Sequence, residues 1–308
     1  MISIVIVNWN SGRLLENCVR SLMRHAAGCE IIVVDNASTD SSLHFLREIS
    51  EGTSLLQNPS NVGYAAANNL GWRSAKGERI LFLNPDAESL PESVGCLEKT
   101  LTADRGVWAA GGQLVAPDGK PQRGFNVRPF PSLLGLAAEM LFINRIRRFI
   151  PWPHAFGGEG KTAMDVDQPA AACLMVARAA LESLGGFDEA FYPAWFEDVD
   201  FCRRIRNRGG RILYQPAARF LHRGGYSLQN MSRRSFLEIF HGNQIRYFRK
   251  HHGTGAARKA KRWILSGLLL RSALALVRSP APGVSRKDAS KMYRDAARSI
   301  AALRESEL

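Results

Sequence analysis

Short apolar runs alternate with longer amphipathic segments along the first hundred residues, and each run ends in polar residues. Residues 2–7 form a β-branched run, the pattern of a parallel strand buried on both faces. Ser11 then offers an N-cap, and Leu14, Leu15, Cys18, Val19, Leu22 and Met23 recur at helical spacing. Residues 31–34 predict a second buried strand ending at Asp35-Asn36, followed by a helix from near Thr39 or Asp40 that carries Leu43, Leu46 and Ile49. A short strand at Leu55-Leu56, a helix over 65–76 and a strand over 80–83 come next. That strand stops at Asn84-Pro85-Asp86, and Pro91 suits the first turn of the following helix. Strand alternating with helix predicts an α/β doubly wound sheet.

Beyond residue 113 the pattern loosens, with Pro117, Pro121, Pro129, Pro131, Pro151 and Pro153 marking loops. Within this stretch 133–150 is apolar and then basic, which reads as a core helix with a solvated end or as a helix lying on a bilayer. Residues 170–177 predict another buried strand, 212–214 and 218–221 two short ones, the last ending at His222.

Ligands of such sheets sit beyond the carboxyl ends of the strands. Asn8 and Asn10 follow the first strand, Asp35 and Asn36 the second, and Asp86 a later one, so polar residues collect where a nucleotide would lie. The first turn, Val-Asn-Trp-Asn-Ser-Gly, is not a dinucleotide fingerprint, and no Gly-x-x-x-x-Gly-Lys-Ser/Thr occurs. Later, Glu197 and Asp198 open a helix through Phe201, Cys202, Ile205 and Arg206. A carboxylate at a helix N-terminus faces unpaired N–H groups and the positive end of the dipole, which suits a general base and equally suits simple capping.

The charge of the chain is unevenly placed. Net charge is +13 over 308 residues, yet from Arg219 onward there are 19 Lys and Arg against 5 Asp and Glu, so the first 218 residues are close to neutral. A basic C-terminal third implies an anionic partner. Arg233 to His252 reads as an amphipathic helix, and Arg258-Lys259-Ala260-Lys261-Arg262-Trp263 precedes an apolar run over 264–277 broken by Arg271. That run falls short of the ~20 apolar residues a transmembrane helix needs. Basic residues beside a tryptophan and a leucine-rich face suit an interfacial helix on anionic lipid, or a helical hairpin packed on the remainder of the chain. The five cysteines form no close-spaced pair, so neither a zinc site nor a redox dithiol is expected. With an N-terminus that runs straight into a strand, the expectation is a cytoplasmic protein, peripheral on the inner face of the membrane.

The ordered stretches carry a family likeness. The chain resembles the inverting family 2 glycosyltransferases of the GT-A fold, most closely their rhamnosyltransferase-like branch. The matching residues begin with Ile4-Val5-Ile6-Val7-Asn8-Trp9-Asn10, Val33-Val34-Asp35-Asn36-Ala37-Ser38-Thr39-Asp40 and Asn58-Pro59-Ser60-Asn61-Val62-Gly63-Tyr64. They continue through Ala67-Asn68-Asn69-Leu70-Gly71, Leu83-Asn84-Pro85-Asp86 and Gly185-Gly186-Phe187-Asp188-Glu189. Phe196-Glu197-Asp198-Val199-Asp200 and His222-Arg223-Gly224-Gly225-Tyr226-Ser227 complete the set, which spans about residues 1–250.

The resemblance implies a Rossmann-like GT-A sheet over 1–228, a basic amphipathic helical extension over 229–278, and a linker and weakly helical tail over 279–308. It implies that Asp35 accepts an imide N–H of uracil or thymine, although an Asp-Asn pair also caps turns. Asn10, Asn61, Gly63 and Asn69 would shape the nucleotide-sugar pocket. Asn84 and Asp86 match the metal motif, with Asn84 where an aspartate is usual, and His222 matches a position able to complete the shell of Mg²⁺ or Mn²⁺. Asp198 matches the base that activates the acceptor hydroxyl, and Glu197 would orient it or touch the acceptor. Asp188 and Glu189 would contact donor or acceptor, or serve packing and capping.

The expected reaction is sugar transfer from a nucleotide-diphosphate donor, dTDP-rhamnose first, to a saccharide or polyprenyl-linked saccharide in cell-surface polysaccharide synthesis. Glucose or galactofuranose from a UDP donor is the alternative, as is a GT-A domain that binds without turnover. Nucleic-acid binding is not expected, because no recognisable module accompanies the basic tail.

Overall fold

A computed structural model of the protein describes residues 1–49, 52–142, 162–224, 231–277 and 284–304. In chain order the elements are β1 (Ile2–Asn8), α1 (Arg13–His25), β2 (Glu30–Asp35), β3 (Thr53–Gln57), α2 (Tyr64–Ser74), β4 (Arg79–Leu83), β5 (Ala87–Ser89), α3 (Ser93–Thr102) and β6 (Val107–Val115). They continue with β7 (Val127–Arg128), α4 (Leu133–Met140), β8 (Met164–Asp165), β9 (Gln168–Pro169), β10 (Cys173–Ala177), α5 (Arg178–Leu184), α6 (Glu197–Asn207), β11 (Arg211–His222), α7 (Arg233–Val277) and α8 (Arg286–Ala302).

The sheet runs β3-β2-β1-β4-β10-β6-β11-β5, with β8 beside β11. β1 pairs in parallel with β2 and β4, whereas β10 runs antiparallel to both β4 and β6. Side chains of β1 alternate between two buried layers. Ile2, Ile4 and Ile6 meet Leu15, Val19 and Leu22 of α1 and Leu97 of α3, while Val5 and Val7 join Trp72 of α2, Leu181 of α5 and Phe201 and Ile205 of α6. Both faces are therefore covered, which is why the strands read as apolar runs rather than alternating ones.

Several sequence expectations change. Among the described residues between β2 and β3 a 3₁₀ turn forms, His44–Arg47, in place of a full helix. The two strands expected over 212–221 are one, β11, whose register shifts between Gln215 and Arg219 around Pro216. β6 has no clear strand signature because it reads Val-Trp-Ala-Ala-Gly-Gly-Gln-Leu-Val. Its glycines are required by packing: a Cβ on Gly112 would lie 2.8 Å from the Phe220 ring and 2.9 Å from Cys173 Sγ.

The chain forms two compact units, one of Met1–Phe130, His154–Pro193 and Glu197–Ser227, the other of Pro131–Pro153, Ala194–Phe196 and Leu228–Leu308. Two short segments thus go with the C-terminal helices rather than with the sheet. In the second unit α7 bends at Gly253 (φ 82°), and Leu136, Met140, Phe248, Ile264, Leu268, Ala296, Ala297 and Ile300 form one buried cluster. Within the tail expected to be weakly helical, Arg286–Ala302 form α8, a 17-residue helix whose N-cap Ser285 accepts from the Asp288 N–H. Its alanine face gave little apolar signal but packs closely. Ser272 of α7 ties it down by donating to the Ser290 carbonyl at 2.9 Å.

The run expected to lie on lipid is itself divided. Ile264 and Leu268 are buried, whereas Trp263, Leu269, Leu270, Leu276 and Val277 are exposed. The basic residues at 145, 147 and 148 fall outside the described residues. Among the described residues no helix is long and apolar enough to cross a membrane.

Candidate active site

The carboxyl ends of β1 and β2 lie side by side, with Asn8 paired to Asp35 in register. Both side chains are buried, and Asn8 Nδ2 donates to Asp35 Oδ1 at 2.8 Å and to Ser42 Oγ at 2.9 Å. The other Asp35 oxygen accepts from the Ser38 N–H. Asp35 is thus oriented by two donors, and a carboxylate retains acceptor sites beyond these. Asn10, in the left-handed region at φ 51°, turns its Oδ1 to the Thr39 N–H at 2.7 Å. It links the two strand-end loops.

Asn36 organises the next loop. Its Nδ2 donates to Asn61 Oδ1 at 2.8 Å, and its Oδ1 accepts from the Val62 N–H and from Asn58 Nδ2. Asn61 Oδ1 also accepts from the Gly63 N–H. Gly63 has φ 87°, and a Cβ there would lie 2.8 Å from the Tyr192 ring and 3.0 Å from the Pro193 carbonyl oxygen. Only glycine lets this loop pass so close, and the neighbouring Tyr64 N–H donates to that carbonyl at 2.7 Å.

Tyr64 had no assigned role in the sequence, yet it bonds Asn84 and lies within the electrostatic reach of Glu197 and Asp198. Its hydroxyl donates to Asn84 Oδ1 at 2.9 Å. Burial, and then the negative charges of Glu197 and Asp198, push the phenol far above its ordinary range, so it stays protonated. Asn84 is fixed as well by its backbone N–H, which donates to the Ala172 carbonyl.

Asp86 and His222 face one another across neighbouring β5 and β11, with Nε2 and Oδ1 3.4 Å apart and both side chains nearly buried. Among the described residues no three His, Cys, Asp or Glu side chains converge. One carboxylate, one imidazole and the amide oxygen of Asn84 nevertheless suit a hard divalent ion that takes its remaining ligands from a diphosphate. The spacing also fits, since two adjacent ligands of one octahedral ion at ~2.1 Å are about 3 Å apart.

Glu197 and Asp198 begin α6. Asp198 is partly exposed and its Oδ1 accepts from the Val199 N–H at 2.8 Å. Glu197 is buried, and its Oε2 has no hydrogen-bond partner among the described residues. Burial first, and the adjacent Asp198 charge second, push its carboxyl well above the usual range. Asp200, fully buried, anchors the helix instead of joining the site: Arg204 bonds it at 2.7 Å and caps the carbonyls of Leu184 and Gly186.

Asn69 is the predicted site residue that the structure does not bring to this cluster. It is buried, and both ends of its amide are engaged. Nδ2 donates to the Phe187 carbonyl and to Glu189 Oε1, while Oδ1 accepts from the Phe187 N–H and from Trp72 Nε1. Its geometry is that of a clamp between α2 and the turn before α6. Asp188 caps the same turn through the Ala190 N–H.

Residues 3–164 match a sequence model of the family described as Glycosyl transferase family 2. The chain is 28% identical over 296 residues to the N-acetylglucosaminyl-diphospho-decaprenol L-rhamnosyltransferase of Mycobacterium tuberculosis, covering 91% of this chain and 94% of that one. It is 27% identical over 232 residues to the rhamnosyltransferase WbbL of Escherichia coli, covering 72% and 83%. Among solved structures it is similar to the mannosyltransferase PcManGT from Pyrobaculum calidifontis in complex with GDP-Man and Mn²⁺, with TM-score 0.57, 17% identity and 99% and 81% coverage. GalNAc-T7 with UDP, GalNAc and Mn²⁺ gives TM-score 0.57 at 14% identity, and this chain spans 96% of its own length and 55% of that chain. These structural likenesses concern the fold. Family match and strand-end site together make the chain a glycosyltransferase of family 2, rhamnosyltransferase-like and built on the GT-A fold.

Proposed function

We propose that the protein transfers rhamnose from dTDP-rhamnose to a lipid-linked saccharide, inverting the anomeric centre. The reading is supported by the proximity of two sets of groups around Tyr64, whose hydroxyl bonds Asn84 beside the Asp86–His222 pair and whose phenol feels the charges of Glu197 and Asp198. Asp35 accepts the imide N–H of thymine, and the Asn36–Asn61–Gly63 loop shapes the nucleotide pocket. Asp86 and His222, with Asn84, hold Mg²⁺ or Mn²⁺. Bound there, the cation neutralises the charge that builds on the diphosphate as it leaves.

An acceptor hydroxyl has a pKa far above 7 and needs a base in the transition state. Asp198 is that base: it is partly exposed and sits in the first turn of α6, where the helix dipole favours the anion. Burial raises the Glu197 pKa and so disfavours a second negative charge beside Asp198. A single displacement by the activated hydroxyl inverts the configuration.

The outer face of α7 supplies the acceptor's address. Trp263, Leu269, Leu270, Leu276 and Val277 are exposed along one helix that also exposes Lys259 and Arg262. An apolar stripe beside basic residues is the makeup of a surface that rests on anionic lipid. The M. tuberculosis relative is named for a decaprenol-diphosphate acceptor, which agrees with this reading.

Incubation with dTDP-rhamnose, UDP-glucose or UDP-galactofuranose, each with Mn²⁺ and a polyprenyl-diphosphate-linked sugar, tests the proposal by mass spectrometry of the product. A rhamnosylated lipid is expected. Transfer from a UDP donor alone would assign the other sugar, and donor binding without product would make the protein a non-catalytic binder. Flotation with phosphatidylglycerol vesicles tests the surface, where Leu269→Glu with Leu270→Glu should abolish co-flotation.

A further inference from the structure

His222 is held by a segment that the reaction as described does not use. One side chain, Gln122, grips it twice: Gln122 Nε2 donates to the His222 carbonyl oxygen at 2.7 Å, and Gln122 Oε1 faces His222 Nδ1 at 2.8 Å. The two contacts decide each other. A backbone carbonyl only accepts, so the amide NH₂ must face it and the amide oxygen must face the ring. An amide oxygen also only accepts, so Nδ1 carries the hydrogen. When the ring is neutral, it therefore presents the lone pair of Nε2, and that atom points at Asp86 Oδ1.

The remainder of the segment makes this grip rigid. The Gln122 N–H donates to the Leu114 carbonyl, and the Gln122 carbonyl accepts from the Phe125 and Asn126 N–H groups. Asn126 binds both backbone groups of Leu114 through its side chain, which fastens the loop to β6. The Phe125 ring stacks on the imidazole, with centroids 5.4 Å apart and planes 13° off parallel. Ring tilt is fixed by Phe125 and ring rotation by Gln122.

With the ring neutral, Nε2 and the carboxylate oxygen 3.4 Å away are two acceptors set against each other, an arrangement that invites a cation between them. We infer that Gln122 is a positioning residue for the divalent cation: it holds His222 in the Nδ1–H form with Nε2 turned to Asp86, so the two protein ligands are aligned before donor and metal arrive. Partners of this kind around a metal-ligating histidine are typically worth 10–100-fold in metal affinity. The inference rests on the cation site of the proposed function, and its tests separate the two.

The first test needs no variant and no metal. Long-range ¹H–¹⁵N correlation spectra of the ¹⁵N-histidine-labelled protein, with His222→Ala to assign the signal, should show His222 as the Nδ1–H tautomer. An Nε2–H signal would overturn the inference whatever the metal does. The second test is a double-mutant cycle in Mn²⁺ affinity, read by electron paramagnetic resonance of free Mn²⁺ with dTDP present. Gln122→Met should weaken Mn²⁺ about tenfold or more, and His222→Ala at least as much. Gln122→Met should then add nothing in the His222→Ala background. A further loss in that background would show that Gln122 acts through the fold and not through His222. Absence of Mn²⁺ binding by the unmodified protein with dTDP would remove the cation site itself and the inference with it, while leaving the tautomer result as a statement about the clamp.

Discussion

Replacing Asn69 separates a structural clamp from a nucleotide contact. Its amide joins α2 to the Phe187–Glu189 turn by three hydrogen bonds of 2.8–2.9 Å and accepts a fourth from Trp72 within α2 at 3.1 Å, in a place where Asn69, Trp72 and Phe187 are all buried. Asn69→Ala leaves the Phe187 N–H and the Trp72 indole N–H without acceptors. Each stranded buried donor costs about 1–3 kcal/mol, so the variant should lose roughly 2–6 kcal/mol. For a unit of this size that is on the order of 10 °C in melting temperature. Asn69→Asp should be worse, because it keeps the acceptor but sets a second carboxylate against Glu189. Thermal unfolding followed by circular dichroism, with and without dTDP and Mn²⁺, is the assay. The rise in melting temperature caused by the ligand should match that of the unmodified protein, since the site itself is intact. Unchanged stability combined with a lost ligand-induced rise would refute the clamp and return Asn69 to the nucleotide pocket.

Asp198→Asn should abolish transfer while donor binding, measured by calorimetry, stays nearly unchanged; full activity would remove Asp198 as the base. Glu197 has a folded-state pKa raised above its ordinary 4.5, so as pH climbs above 4.5 the native chain keeps a proton that the unfolded chain releases, and stability falls through that window. Glu197→Gln should flatten this slope in urea titrations from pH 4 to 8 and retain activity. In the helical unit His241 is buried beside Gln244 and, mainly through that burial and then the Arg271 charge, its pKa falls from 6.5 to about 4. The unfolded chain then binds a proton between pH 6.5 and 4 that the native chain refuses, so about 3 kcal/mol is lost as pH falls through that range, and His241→Gln should abolish this loss. Gly63→Ala forces a Cβ to 2.8 Å from Tyr192 at φ 87° and should lower stability by about 1–3 kcal/mol and weaken dTDP binding, both visible in the same melting assay.

The sheet and the strand-end acids were legible because burial on both faces writes itself as apolar runs, and because ligand positions follow from strand polarity. Asn8, Asp35 and Asp86 needed only that rule. β6 was not legible, since its small residues answer to Phe220, Cys173 and Pro169, none of them near in sequence. α8 was faint for a related reason: an alanine face that packs closely carries little hydrophobic periodicity. Asn69 shows a different limit. Its motif is recognisable, but whether a buried amide meets a ligand or a neighbouring turn depends on Phe187 and Glu189, more than a hundred positions away. Tyr64 and Gln122 lay in a quoted motif and in a proline-marked loop, and no local pattern announces a side chain whose partner lies 20 or 100 residues on.

Charge is what ties these residues into one device. Asp35, Asp86, Glu197 and Asp198 would repel one another and any diphosphate, and each is accommodated differently. Asp35 accepts from Asn8 and the Ser38 N–H, Asp86 faces an imidazole, Glu197 has its pKa raised by burial, and Asp198 sits in the first turn of a helix. Arginines close in sequence or space pair with other carboxylates: Arg73 with Glu189, Arg204 with Asp200, Arg223 with Glu88. A fixed arginine at Asp86 would hold a diphosphate whether or not a sugar was attached. On the proposed reading, a removable cation held by Asp86 and His222 would instead supply compensating charge only while a donor is bound. On that logic the rigidity of His222 matters more than its basicity. A ring that Gln122 and Phe125 hold in place would meet a cation without reordering, which is the advantage of a preorganised ligand.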